Sequence, residues 1–73
     1  MKQQFLVCYE SGLDALGAPV MTRIKTFKNE PDAIAFYENP RNERRYPNMT
    51  LESRTGDGST YEWDARNREW RQP

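Results

Sequence analysis

The chain has no histidine and a single cysteine, Cys8, among its 73 residues. One cysteine forms no internal disulfide, and one thiol without imidazole makes no ordinary structural zinc site. A cysteine nucleophile needs a neighbouring base, usually histidine, so Cys8 reads as a buried structural residue. Its unpaired state fits a reducing, intracellular setting. There is no glycine-rich phosphate loop, and Asp57-Gly58 has no further acidic ligand at calcium-loop spacing. No metal and no other cofactor is therefore expected. An excess of one charge is also missing, because 11 basic side chains balance 11 acidic ones. A non-specific DNA binder carries a clear positive excess, so direct DNA binding is not expected. Long apolar runs are absent too. The run that follows Met1-Lys2-Gln3-Gln4 is five residues long, against the roughly 20 of a membrane helix. No small-residue cleavage site follows it, so neither a signal peptide nor a membrane partner is expected.

What remains is a polar chain, 30% charged and 36% hydrophobic, of a length for one small domain spanning residues 1–73. A domain this short buries only about 60% of the surface its unfolded chain exposes. Without a disulfide or metal, either its core is efficient or a partner completes it.

Hydrophobic periodicity divides the chain into short elements. Gln4 to Tyr9 reads as a strand with a continuous apolar run, so both faces are covered or Leu6 and Cys8 face a partner. Ser11 to Pro19 reads as a loop whose Leu13 and Leu16 tuck under an edge of the core. Val20 to Phe27 alternates with period two, as a half-buried strand antiparallel to the first. Asn29 is placed to cap a helix that opens Glu30-Pro31-Asp32, with Ala33, Ile34, Phe36 and Tyr37 as its apolar face. Asn39-Pro40 ends it, and residues 41–47 form a charged linker. Met49 to Arg54 and Thr60 to Asp64 are strands joined at Gly56-Asp57-Gly58. A second turn, with Asn67 as its left-handed residue, leads into a short last strand from Glu69, and residues 71–73 fray. The expected fold class is α+β: a meander-like antiparallel sheet of about five short strands, order β-β-α-β-β-β, with one short helix packed on it. A sheet split into two packed parts is the alternative.

The densest chemistry lies in Tyr61-Glu62-Trp63-Asp64-Ala65-Arg66-Asn67-Arg68-Glu69-Trp70-Arg71. Both tryptophans stand here, interleaved with three arginines and three carboxylates. Trp, Tyr and Arg dominate binding energy at protein interfaces. Tyr61, Trp63 and Trp70 could be displayed as a platform with Arg66 and Arg68 at its rim. Alternatively, Tyr61 and Trp63 pack on Ile34 and Phe36 in the core, with Trp70 closing an edge. A further candidate is the acidic and apolar stretch of Glu10 and Asp14 beside Leu13 and Leu16, which would suit a basic, apolar peptide or simply tuck onto the core. Positions 41–73 hold seven arginines and no lysine, with six carboxylates among them. That mixed charge suits a protein partner better than a phosphate backbone. Arg41, Arg44, Arg45 and Tyr46 offer a competing recipe for single-stranded nucleic acid, or a solvated linker. Glu62 and Asp64 alternate with Tyr61 and Trp63 and belong to the solvated side of their strand, so no catalytic residue is assigned and an enzyme is not expected.

Over its whole length, from Met1-Lys2-Gln3-Gln4-Phe5-Leu6-Val7 through Asn29-Glu30-Pro31-Asp32 to Asn67-Arg68-Glu69-Trp70-Arg71, the chain resembles the small transcription regulators of lytic Xanthomonas bacteriophages. The resemblance implies a protein that binds host RNA polymerase at the N-terminal part of the β′ subunit, with further contacts where sigma docks. It implies inhibition of initiation by loosening or displacing sigma, antitermination during elongation, and residence in the cytoplasm of the infected bacterium. It assigns no contact residues.

The leading expectation is thus a monomeric, protein-binding regulator that acts by occupancy through Tyr61, Trp63, Arg66, Arg68 and Trp70 together with Glu10 and Asp14. Alanine at Trp70 or Arg68 should then weaken binding with the fold intact, whereas loss of folding would place Trp70 in the core. The competing classes are a nucleic-acid-binding module built on the Arg and aromatic residues, and a self-associating structural subunit.

Overall fold

The computed structural model describes residues 3–72. In chain order the elements are β1 (Gln4–Leu13), β2 (Pro19–Phe27), α1 (Glu30–Glu38), α2 (Pro40–Arg45), β3 (Thr50–Arg54), β4 (Thr60–Asp64) and β5 (Glu69–Arg71). The strands form one antiparallel sheet in the order β2-β1-β3-β4-β5. The architecture is the expected α+β class with an undivided sheet, but it is not a plain meander. The apolar run Phe5-Leu6-Val7 makes β1 the interior strand, flanked by β2 and β3. After β2 the chain crosses through α1 and α2 to reach the far side of β1.

Strand alternation decides which side chains meet the helix. Phe5 and Val7 of β1 stand opposite Ser53 and Leu51 of β3, and Ser53 stands opposite Tyr61 of β4. Phe5, Val7, Leu51 and Ala33 of α1 are almost fully buried and form the core. Ile34, Phe36, Trp63 and Trp70 pack around it. Each large apolar side chain buried here contributes about 1.5–3 kcal/mol, so this small cluster carries much of the stability. Leu6 is only 2% exposed yet lies outside that cluster, on the sheet face away from α1. The continuous apolar run is thereby explained, since β1 is covered on both faces at its centre.

Two bulges modify the expected alternation. Val7 pairs with Lys25 and Cys8 with Arg23, so Ile24 is left without a partner in β1. The bulge turns Ile24 toward the core, where it packs together with Phe27. The strict two-residue period expected over Val20 to Phe27 is therefore broken, and β2 is largely exposed instead of half-buried. The second bulge lies between Glu10 and Gly12.

Several sequence expectations are corrected at the turns. Residues 41–45 of the expected linker belong to a short helix: the Asn39 side chain accepts the Arg41 N–H at 2.9 Å while Pro40 opens α2. Asn39 also donates its own N–H to Phe36 O, so one residue closes α1 and caps α2. Asn29 occupies the N-cap position of α1, but its side chain donates to Asp32 Oδ2 and caps no backbone N–H. In the last turn the left-handed residue is Arg68 (φ 53°), not Asn67. Asn67 is held by Asp64, which accepts both its backbone N–H and its side-chain amide. Arg71, expected to fray, is paired with Glu62 in the sheet and ion-paired to Asp64 and Glu69. Pro73 lies outside the described residues.

Candidate protein-binding surface

Beyond Cys8, strand β1 has no partner on its β3 side, because that pairing spans only Gln4 to Cys8. From there β1 and β2 continue alone as a two-stranded arm to the turn between Leu13 and Pro19. The root of the arm is fixed by the Glu10 N–H, which donates to Pro47 O at 2.9 Å. Its tip is ordered by Asp14. One carboxylate oxygen accepts the N–H of Leu16 and of Ala18, each at 2.9 Å, and Gly17 takes the left-handed conformation (φ 82°) that the tight turn needs. The Thr22 hydroxyl donates to Ser11 Oγ, tying the two strands together.

This arm displays apolar side chains. Leu13 is 67% and Leu16 94% exposed, with Val20 and Met21 also open. The expectation that Leu13 and Leu16 tuck under the core is overturned, because the arm carries them past the last strand that could cover them. Apolar groups gathered at one end and flanked by carboxylates are the composition of a contact surface. The sequence signal was the pair of leucines inside a Gly- and Pro-containing stretch.

The other candidate residues sit elsewhere. Trp63 of β4 and Trp70 of β5 stand directly opposite each other, with ring centroids 5.0 Å apart in an edge-to-face arrangement. Trp70 also lies 5.7 Å from Phe5, and its indole N–H donates to Glu30 Oε1 of α1 at 2.9 Å. Tyr61, Trp63 and Trp70 are all half-buried. The two tryptophans thus pack against the core, Trp70 bonded to the start of α1, and the last hairpin shows residues 65–69 and Arg71 to solvent, Arg66 and Arg68 among them. Arg68 pairs with Glu38 at 2.5 Å. Glu10 and Asp14 belong to β1 and the arm, separated from β4 by β3. The structure therefore brings Trp63 and Trp70 together, with Tyr61 two residues along β4, but does not join them to the acidic arm residues in one patch.

Tyr46, a member of the nucleic-acid recipe, packs edge-to-face on Tyr9 at 5.1 Å and is half-buried. Arg41, Arg44 and Arg45 of α2 are exposed. The thiol of Cys8 is half-buried, and burial, aided by Glu52, raises its pKa against the opposing pull of Arg23 and Arg54. A raised pKa disfavours the reactive thiolate. Among the described residues no group of His, Cys, Asp and Glu is arranged to hold a metal ion. Nor is any helix among them long and apolar enough to cross a membrane.

Compared with protein-family models, curated proteins and solved structures, the chain matches none.

Proposed function

We propose that this protein is a phage-encoded regulator that binds host bacterial RNA polymerase and acts by occupying a surface that polymerase and sigma share. The observation that carries the protein-binding part is the β1–β2 arm, with Leu13, Leu16, Val20 and Met21 exposed beside Glu10 and Asp14. An apolar, acid-flanked arm on a rigid sheet suits a basic and apolar segment of a larger protein. The choice of polymerase, of the β′ N-terminal region and of the bacterial cytoplasm rests on the whole-chain resemblance to small phage transcription regulators.

Occupancy is a sufficient mechanism. A competitor that weakens one part of the extended sigma contact by about 1.4 kcal/mol shifts sigma occupancy about tenfold. Such competition inhibits initiation at host promoters, and a regulator that stays on the elongating enzyme can act as an antiterminator. No chemical step is required, and neither a cofactor nor direct DNA binding enters the mechanism. The protein acts as a monomer.

The test is retention of host extract on the immobilised protein. Core polymerase subunits retained with sigma depleted support the reading. Retention of nucleic acid alone points to the nucleic-acid module, and retention of the protein's own chain alone points to a structural subunit; either result discards the regulator.

A further inference from the structure

A groove of about 410 Å³ runs between the helical layer and the start of β3, a volume within the roughly 300–1,000 Å³ range of ligand clefts. Tyr37 of α1, Tyr46 and Met49 supply its apolar walls, Glu38 and Glu43 its charge, and the exposed Ala65 also borders it. No lysine or arginine lines it. Glu38 is engaged by Arg68, whereas Glu43 has no ion pair among the described residues.

Two of the chain's own contacts show what this wall chemistry accepts. From outside the groove's lining, the Arg45 guanidinium sits 5.5 Å from the centroid of the Tyr46 ring, and the Arg68 guanidinium docks on Glu38. Both are planar cations, one on an aromatic face and one on a carboxylate. Guanidinium suits this combination better than ammonium, because it stacks on rings and forks onto carboxylates at the same time. The field inside the groove has the matching sign: the phenol of Tyr37 is held above its ordinary pKa by burial and by Glu43, Glu62 and Glu38.

We infer that this groove receives an arginine side chain from an extended segment of a partner protein, with the guanidinium between the Tyr37 and Tyr46 rings and paired to Glu43. The inference rests on the protein-binding reading above but not on the identity of the partner. It adds a second contact, beside the root of the arm and away from its apolar tip.

The test uses the full chain and end-blocked glycine pentapeptides with arginine, lysine or citrulline at the centre, followed by amide NMR shifts. The arginine peptide should bind in the millimolar range and shift Tyr37, Tyr46, Met49 and Ala65. Citrulline, isosteric but uncharged, should leave them in place, and lysine should bind several-fold more weakly. Glu43→Gln should weaken arginine binding about tenfold, the loss of one charge-assisted contact. Ala65→Arg, which fills the groove from an exposed position, should abolish it with the remaining spectrum unchanged. Equal shifts with citrulline or lysine, shifts confined to the arm, or unaltered affinity in Glu43→Gln would each overturn the inference. Because no polymerase is present, failure here is separate from failure of polymerase retention.

Discussion

Trp70 in the last strand donates its indole N–H to Glu30 in the first turn of α1, closing the sheet edge onto the helix across 40 residues of sequence. The same ring packs on Phe5 and Trp63. Trp70 is therefore a structural residue whatever else it touches. Trp70→Ala should cost about 2–4 kcal/mol, and Trp70→Phe, which keeps most of the ring contact, about 1 kcal/mol. Urea unfolding of the two variants checks this. Equal stability of Trp70→Ala and wild type would return the ring to the surface.

Arg68 combines a left-handed backbone with a solvent-exposed ion pair to Glu38. The pair is worth at most about 1 kcal/mol, and the backbone conformation costs a comparable amount in a residue other than glycine. Arg68→Gly removes both and should leave stability within about 1 kcal/mol of wild type. Arg68→Ala removes the pair and keeps the strained backbone, so it should be the less stable of the two. A thermal melt that ranks alanine above glycine would refute this reading of the turn.

On the sheet face away from α1, Glu52 and Glu62 stand directly opposite each other on β3 and β4. Glu52 is relieved by Arg54, and Glu62 has no cation bound to it among the described residues. Like charges at such positions destabilise a sheet, and opposite charges contribute about 0.2–1 kcal/mol. Arg71 stands on the other side of Glu62, so the repulsion is read from a double-mutant cycle. Glu62→Gln should lower the urea midpoint more in a Glu52→Gln background than in the wild type, and the difference should shrink at high salt. Equal effects in both backgrounds would contradict the register.

Asp57 and Asp64 organise the two C-terminal hairpins, and both carboxyls lie below the usual aspartate range. For Asp57 the main cause is the Thr55 hydroxyl, followed by the Ser59 backbone and side chain. For Asp64 it is the Asn67 side chain, followed by the Asn67 N–H, with Arg71 and the Arg66 N–H adding to it. A depressed folded-state pKa favours the folded state at pH above the ordinary aspartate value, and that contribution is lost as pH falls through the folded value. Acid should therefore loosen these turns while β1 keeps its amide protection. Carboxyl shifts followed by NMR against pH measure it, and ordinary midpoints at both residues would contradict the turn geometry.

Cys8 should react with a maleimide more slowly than a free thiol at neutral pH and reach the free rate on unfolding. Native-state labelling at the free-thiol rate would show that burial does not control it.

The parts of this fold legible in the sequence share one property, in that local pattern and tertiary packing agree. Alternation in 50–54 and 60–64, the Gly-rich turn between them and the Pro-opened α1 all fall where periodicity puts them. α2 is not legible in the sequence because its six residues carry no apolar face, and Pro40 reads as a terminator unless Asn39 is also read as a cap. The β2 bulge at Ile24 was invisible because it is fixed by β1, a partner 16 or more residues away. The arm is hidden in the sequence for a related reason: leucine in a loop normally signals burial, and only the length of β3 shows that nothing remains to bury Leu13 and Leu16. Composition leaves the clustered tryptophans open between a displayed surface and the core, because it does not show both rings packing on the buried cluster and Trp70 bonding to α1.

The exposed arm is proposed to hold the protein on RNA polymerase. The most direct test is the affinity of purified core polymerase for the wild-type protein and for Leu13→Asp/Leu16→Asp. Both positions are exposed, so the variant should keep wild-type stability within about 0.5 kcal/mol. A folded variant whose affinity drops tenfold or more is the result the account predicts. A folded variant that binds polymerase as tightly as wild type would contradict it.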